Sequence, residues 1–421
     1  MTALLFKPKK RSIAQQFIAE RSVSQPSIAP KILVPKIVVP KIIAFYLPQF
    51  HPIEENNLWW GPGFTEWHNV AKARPLFRGH VQPRLPGELG FYDLRLSQTR
   101  FHQALLAKQY GVHGFCYWHY WFGGKRLLET PIEQVLATND PDFPFCVAWA
   151  NESWTGVWHG SPHQTLIEQT YPSDDAERHY AVLRRFFHDR RYIKHDGMPL
   201  LYLYRPRDIS PQYLQSLREL AASDGFSGLY VAGQWGPNPS ARFDSTQELG
   251  LDAAVISNIT GRDSLARCQW LHAAVEKCFA KIGGPIGPRR ISYSSAIEPM
   301  LPDLRRFIFP AYNTVISNWD NTPRSGRRGL VLTGATPELF SRALKLAFSN
   351  LASRPTEYAT GDFVFLKSWN EWAEGNFVEP DQLNGRSYLE AIARSTSSKA
   401  DPVISTIAPP SRARACSGVA Q

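Results

Sequence analysis

Between residues 42 and 366 the chain alternates between short apolar runs and longer stretches of helical period. Runs of four to six apolar residues, too short for helices and bounded by turn residues, predict buried strands. They fall at Ile42–Leu47, Val112–Tyr117, Phe145–Ala150, Leu200–Tyr204, Leu229–Gly233, Ala253–Ser257, Phe307–Ala311 and Phe363–Leu366. Apolar positions three and four apart predict helices over Ser97–Tyr110, Asp174–His188, Pro211–Asp224, Asp263–Ile282 and Pro337–Leu351. Eight strands alternating with helices predict an α/β fold, a (β/α)8 TIM-like barrel with enlarged βα loops. A doubly wound open sheet is the alternative. No strand is followed by GxGxxG or GxxxxGK[ST], which weakens that option for a nucleotide-binding fold.

The chemistry gathers where the strands end. The last run passes at once into Ser368-Trp369-Asn370-Glu371-Trp372-Ala373-Glu374, closed by Gly375. In a barrel, the C-terminal ends of the strands converge on the catalytic face. If the chain turned helically here, Glu371 and Glu374 would lie about 5–6 Å apart at Cβ. Two carboxylates that close cannot both ionise freely, so one proton affinity rises and the other stays low. The bland reading is a helix N-terminus, which acidic residues favour; the flanking Trp and Asn residues favour a site. Asn370, beside Glu371, is expected to hold it ionised as the base. Glu374, with fewer donors in sequence, is expected to be the raised acid.

Other strand ends repeat the aromatic and polar pattern: Tyr46, Tyr117-Trp118, Trp149 with Asn151-Glu152 and Trp154, Tyr204-Arg205, and Trp235. Such a mouth offers stacking planes and hydrogen-bond partners for sugar hydroxyls. Glu152 is the rival catalyst. His119 reads as a structural histidine, and Arg205 either neutralises a carboxylate or binds an acidic sugar. The insert Pro48–Leu96 is rich in Gly and Pro and carries Glu66 and Trp67. A loop of that length inside a domain is usually functional.

Charge and cysteine content narrow the partners. The net charge of +10 resides mainly in the ends. Residues 1–41 hold eight Lys or Arg against Glu20, and residues 399–421 hold three against Asp401, leaving about +1 for the body. No basic recognition element for nucleic acid is therefore expected. Residues 1–41 read as a basic, Pro-rich tail and linker, with the near-repeat PKILV-PKIVV-PKIIA. Residues 42–394 read as the catalytic domain and 395–421 as a disordered tail. Five scattered cysteines without a CxxC pair suggest a reducing compartment, with Cys116 and Cys146 as small buried hydrophobes. No metal site and no cofactor are expected. Neither a secretory signal nor a membrane-spanning run is evident, so the expected location is cytoplasmic, with at most peripheral membrane contact through the basic tail. Deleting residues 1–29 is expected to leave the melting temperature and sugar turnover unchanged; a clear fall in melting temperature would show that the tail packs on the barrel.

Residues from about Ile42 to Ala393 resemble the WbsX-type polysaccharide-biosynthesis proteins, related to glycoside hydrolase family 99. The matching segments are AFYLPQFHPIEENNLWWGPGFTEW, GFCYWHYWFGGKRLLETP, WANESWTGVWHG, LYRP, WDNTPR (Trp319–Arg324) and WNEWAEGNFVEPD. The resemblance implies a (β/α)8 barrel and, in the hydrolase relatives, retaining chemistry on α-linked mannose-like sugars. It places the two catalytic carboxylates on Glu371 and Glu374. The first is taken to deprotonate the sugar's own 2-hydroxyl, giving an anhydro-sugar; the second protonates the leaving oxygen and later activates water. This differs from the usual retaining scheme with a carboxylate nucleophile. The chain departs from the hydrolases at Ala373, where they carry His. It also departs from relatives reading WANENWTRRWDG at Ser153, Gly156, Val157 and His159.

The expected function is an enzyme cleaving or transferring glycosidic bonds in a bacterial surface polysaccharide or lipopolysaccharide O-antigen. Its expected substrate is an oligo- or polysaccharide, free or lipid-linked. Expected substrate contacts are Tyr46, Glu66, Trp67, Tyr117, Trp118, Trp149, Asn151, Glu152, Trp154, Tyr204, Arg205, Trp235, Trp319, Asp320, Trp369, Asn370 and Trp372. The alternatives are a nucleotide-sugar glycosyltransferase, which is how many WbsX-type proteins are labelled, and a non-catalytic glycan-binding barrel.

Overall fold

Eight apolar runs pair side by side in parallel and close on themselves. In chain order the barrel strands are β1 (Lys41–Tyr46), β2 (Val112–Phe122), β3 (Phe145–Trp149), β4 (Met198–Leu203), β5 (Tyr230–Trp235), β6 (Ala253–Ile256), β7 (Ala311–Ile316) and β8 (Phe363–Lys367). Each pairs with the next, and β1 pairs with both β2 and β8, which completes the ring. This computed structural model describes residues 40–156, 161–236, 246–259, 287–359 and 361–397, with the backbone alone for 161–163. The expected helix Asp263–Ile282, both expected tails beyond these limits, and the segment with Trp158 and His159 lie outside the described residues.

Burial explains why the runs read as continuously apolar: a strand in a closed parallel barrel is covered on both faces. Inside the ring, Phe45 stacks on Trp118 and Phe365 and meets Tyr202 edge-on. Below them Tyr230 and Tyr312 share a 2.8 Å hydroxyl hydrogen bond. Cys116 and Cys146 lie opposite one another on β2 and β3, buried and unpaired. Outside, helices Ser97–Gln109, Asp175–Phe187, Pro211–Ser223 and Pro337–Ser353 follow the expected boundaries within two residues. Two carry their caps in sequence: Ser210 accepts from Tyr213 N, and Thr336 from Leu339 N, each with Pro at the first helical turn.

Two strands differ from expectation. The seventh is Ala311–Ile316, not Phe307–Ala311. Pro310 has no N–H to give to a ladder, so pairing begins after it, while its carbonyl accepts from Ala254 N. Ile308 is left 76% exposed. The second strand runs to Phe122, and its last residues turn back in a hairpin with Lys125–Leu127. The period of two therefore continues through the aromatic run and decides which ring faces where.

The long insert after β1 is anchored to the segment after β8. Gly87 N donates to Pro380 O, Gln382 N to Leu85 O, and Pro86 bridges Asp381. Among the described residues no helix is long and apolar enough to cross a membrane.

Candidate active site

After β8 the chain forms a tight hairpin rather than a helix. Asn370–Glu371 pairs antiparallel with Asn376–Phe377, and Trp372–Glu374 is one 3-10 turn between them. Three contacts hold this geometry against helix formation. Asn370 spends its carboxamide on Leu47, accepting from the N–H at 2.7 Å and donating to the carbonyl at 3.0 Å. Trp372 Nε1 donates to Glu379 at 2.7 Å. Gly375 sits at φ +65°, and a Cβ there would lie 2.8 Å from Asp320 N, so glycine answers both the left-handed turn and the close approach.

The hairpin presents both glutamates to a cavity of about 460 Å³ at the C-terminal end of the barrel, the face on which such barrels place their catalytic groups. Its aromatic walls are Trp60, Trp118, Tyr120, Trp154 and Tyr204. Glu371 is buried and accepts from Trp118 Nε1 at 2.7 Å. Glu374 accepts from Arg324 Nη1 at 2.6 Å and from Asn376 Nδ2 at 3.2 Å. Arg324 also grips Glu66, through Nη2 at 2.6 Å and Nε at 3.1 Å, and Asn69 supplies Glu66 with a further donor. Lys367, on the inward face of β8, lies 5.1 Å over the Trp319 ring and also lines the cavity.

These partners separate the two carboxyl groups. Burial raises Glu371 to a pKa of about 7; Lys367 opposes the rise and Glu374 adds to it. Burial also pushes Glu374 upward, but Arg324 and then Lys367 outweigh it and hold the group at about 2. Burial disfavours the Arg324 charge, yet Glu66 and Glu374 more than compensate and keep it protonated. These surroundings run opposite to the expected order: burial favours the proton on Glu371, and Arg324 favours the charge on Glu374. The sequence placed Asn370 beside Glu371, but its amide is committed to Leu47. The cation that holds Glu374 comes from fifty residues upstream.

The expected contact residues divide into those that line the cavity and those that do not. Trp118, Glu152, Trp154, Tyr204 and Arg205 line the cavity with the two glutamates. Glu152 is clamped by Arg205 at 2.6 Å. Tyr46, Tyr117, Trp149 and Trp369 do not line the cavity. Tyr46 donates to Gln103 Oε1 at 2.6 Å and packs on Tyr117. Trp149 packs on His179 and Tyr213, and Trp369 on Phe115. The remaining expected contacts support the site from behind. Asn151 holds Arg205 through N–H and carbonyl. Asp320 accepts from Gln82 and Thr322 and pairs with His80. Trp67 donates to Tyr92 O, and Trp372 stacks on Phe377. Trp235 and Trp319 are buried under the cations of Arg207 and Lys367. Glu66 is fully buried and serves Arg324. His119 is neutral, its pKa pushed to about 3 by burial, and it hydrogen-bonds His179.

Gln49, Trp60, Tyr120, Arg324 and Lys367 line the cavity but lie outside the expected contact set. Parity along β2 and β8 marks Tyr120 and Lys367, two positions beyond Trp118 and Phe365. A consequence of the same parity is that Tyr46→Phe should leave turnover within about 3-fold of wild type. It should cost about 1–3 kcal/mol in urea unfolding, because Gln103 loses its donor inside the wall.

The family model described as Glycosyltransferase WbsX matches residues 42–392. The chain belongs to the WbsX glycosyltransferase family. Within curated sequences it is 37% identical over 378 residues to the "Uncharacterized protein WxcX" of two strains of Xanthomonas campestris pv. campestris. That alignment takes in 88% of this chain and 51% of the relative, so the chain spans about half the length of the curated relatives it matches. Among solved structures it resembles a "Glycoside hydrolase-like protein" at TM-score 0.50 and 14% identity, over 86% of this chain and 94% of that one. It resembles the GH99 endo-alpha-mannosidase from Bacteroides thetaiotaomicron at TM-score 0.50 and 13% identity, over 84% and 96% of the two chains. At these identities the family shares its barrel architecture with both.

Proposed function

We propose that the chain is a carbohydrate-active enzyme that cleaves or transfers glycosidic bonds in a bacterial surface polysaccharide, such as a lipopolysaccharide O-antigen, with Glu371 and Glu374 as its acid–base pair. The observation that carries this reading is the placement of two carboxyl groups on one aromatic-walled cavity, Glu371 buried against Trp118 and Glu374 held by Arg324, surroundings that push their proton affinities apart. Such a split is what acid–base work near neutral pH requires. Glu371 gives its proton to the departing glycosidic oxygen. Glu374, held ionised by Arg324, takes the proton of the attacking hydroxyl. In the retaining scheme implied by the hydrolase resemblance, that hydroxyl is the sugar's own 2-hydroxyl, and the pair exchange duties in the second half of the cycle. Trp118 orients Glu371, and the aromatic walls offer stacking surfaces to the sugar rings.

The test is a digestion and transfer screen of bacterial oligosaccharides and polysaccharides, with Glu371→Gln protein as the control. Turnover by the wild type and not by the variant supports the reading. Turnover that appears only when a nucleotide sugar is added would sink it in favour of a nucleotide-sugar glycosyltransferase, which the family's name favours.

A further inference from the structure

Some arginines of this protein are paired with carboxylates and others are not. Arg95, Arg184, Arg305 and Arg386 each face a carboxylate at 2.6–2.8 Å. Arg78, Arg289, Arg290, Arg327 and Arg328 make no ion pair among the described residues. These five stand on the connections that leave the C-terminal ends of β1, β6 and β7, the same face as the catalytic cavity. Backbone pairing brings the two double-arginine segments together: Arg289–Ser292 runs parallel to Leu330–Thr333, and Arg289 N donates to Gly329 O at 2.9 Å.

Between these connections lies a second cavity of about 580 Å³, lined by Phe77, Arg78, Gly79, Pro288, Arg290 and Thr333. The Arg290 guanidinium lies 4.9 Å over the Phe77 ring. Gly79 has φ +80° and open space where a Cβ would be, so the backbone there is approachable. Like charges gathered in one place repel, by about 1 kcal/mol for a pair 4 Å apart in water. Arg78 and Arg290, which line the cavity and make no ion pair among the described residues, would be relieved of their mutual repulsion by an anion. The planar guanidinium fork suits phosphate oxygens, and barrel enzymes often hold phosphate on loops of this face. The cavity is also connected to the catalytic hairpin. Phe77 stacks on His80 at 4.4 Å, His80 Nε2 meets Asp320 at 2.7 Å, and Asp320 N donates to Glu374 O at 2.7 Å.

We propose that this second cavity is a binding subsite for the diphosphate of a glycosyl diphosphate. The proposal rests on the reading that the neighbouring cavity works on glycosidic bonds, and it narrows the substrate to a phosphate-bearing one. Nucleoside diphosphate sugars and polyprenyl diphosphate glycans share this chemistry.

Calorimetric titration of the full chain with inorganic diphosphate tests it. Saturable binding is expected, weakening as salt rises. Arg78→Ala with Arg290→Ala should weaken it at least about 10-fold. Both side chains are exposed, so the melting temperature should not move. Arg184→Ala, which removes a paired exposed arginine elsewhere, should bind as wild type. Titrations with a nucleoside diphosphate and with a polyprenyl diphosphate in detergent then distinguish the source: tighter binding of the polyprenyl diphosphate than of inorganic diphosphate fits glycosidic-bond chemistry on a lipid-linked glycan, whereas tighter binding of the nucleoside diphosphate keeps the diphosphate subsite and overturns the glycosidic-bond reading in favour of a nucleotide-sugar glycosyltransferase. The proposal is overturned if diphosphate binds no better than sulfate at equal ionic strength, or if the double variant binds as wild type. Binding of an acidic polysaccharide in place of diphosphate would overturn it too. Repeating the titration on Glu371→Gln protein keeps the two readings apart. Full turnover by that variant would remove the catalytic assignment and leave the diphosphate result standing by itself.

Discussion

Arg324→Met is expected to lower the stability of the fold by roughly 3–5 kcal/mol, the range for removing one partner of a buried ion pair. Glu66 is fully buried, and its charge is answered by Arg324 through two hydrogen bonds and by Asn69 through one. Methionine nearly fills the volume but leaves that carboxylate in the wall without a cation. The same change frees Glu374, whose low proton affinity depends on Arg324 more than on any other cation. Its pKa should then rise, and the base should be lost at neutral pH. Urea unfolding and turnover measure the two effects separately. A stability loss below about 1 kcal/mol, the range of an exposed pair, would contradict the role given to Glu66 and Arg324.

Glu371→Gln is expected to reduce turnover by on the order of 10²–10⁴, the usual contribution of general acid–base catalysis. In the wild type, activity should fall as pH rises through about 7, because the acid is then ionised. Stability follows the same group. A carboxyl raised above its unfolded value near 4.3 favours the fold below that value, and the benefit is lost as pH climbs toward about 7. Glu379, buried beneath the hairpin and also raised to about 7, adds a contribution of the same sign. Glu374 has the opposite sign: its contribution is present above about 4.3 and is lost as pH falls toward about 2. Unfolding free energy measured against pH in wild type and in Glu371→Gln should show the first slope reduced in the variant.

Much of the barrel was legible because its strands are continuous apolar runs with helical patterns between them. Seven of the eight strand positions follow from that signal alone. The seventh strand was misplaced because two apolar segments flank Pro310, and the more compact one attracts the eye. The two glutamates could be found because a buried strand passing abruptly into Trp, Asn and Glu is a local feature. Their protonation could not be found that way. It depends on Arg324 and Lys367: one arrives from the connection after β7, and the other depends on which face of β8 its side chain takes. The aromatic strand ends show the same limit. Composition suggested one mouth lined by all of them, but a strand sends alternate side chains to opposite faces. Trp118 and Tyr120 therefore reach the cavity, whereas Tyr117 and Trp149 pack outside the ring.

The division of labour between the two glutamates is tested most directly by changing the leaving group. A substrate whose leaving group departs without protonation has little need of the acid. Turnover of an ordinary glycoside and of an aryl glycoside of the same sugar should be compared in Glu371→Gln and Glu374→Gln proteins. With Glu371 as the acid, the aryl substrate restores much of the activity of Glu371→Gln and leaves Glu374→Gln inactive. Restoration of Glu374→Gln alone would reverse the roles and contradict the assignment built on the Arg324–Glu374 ion pair.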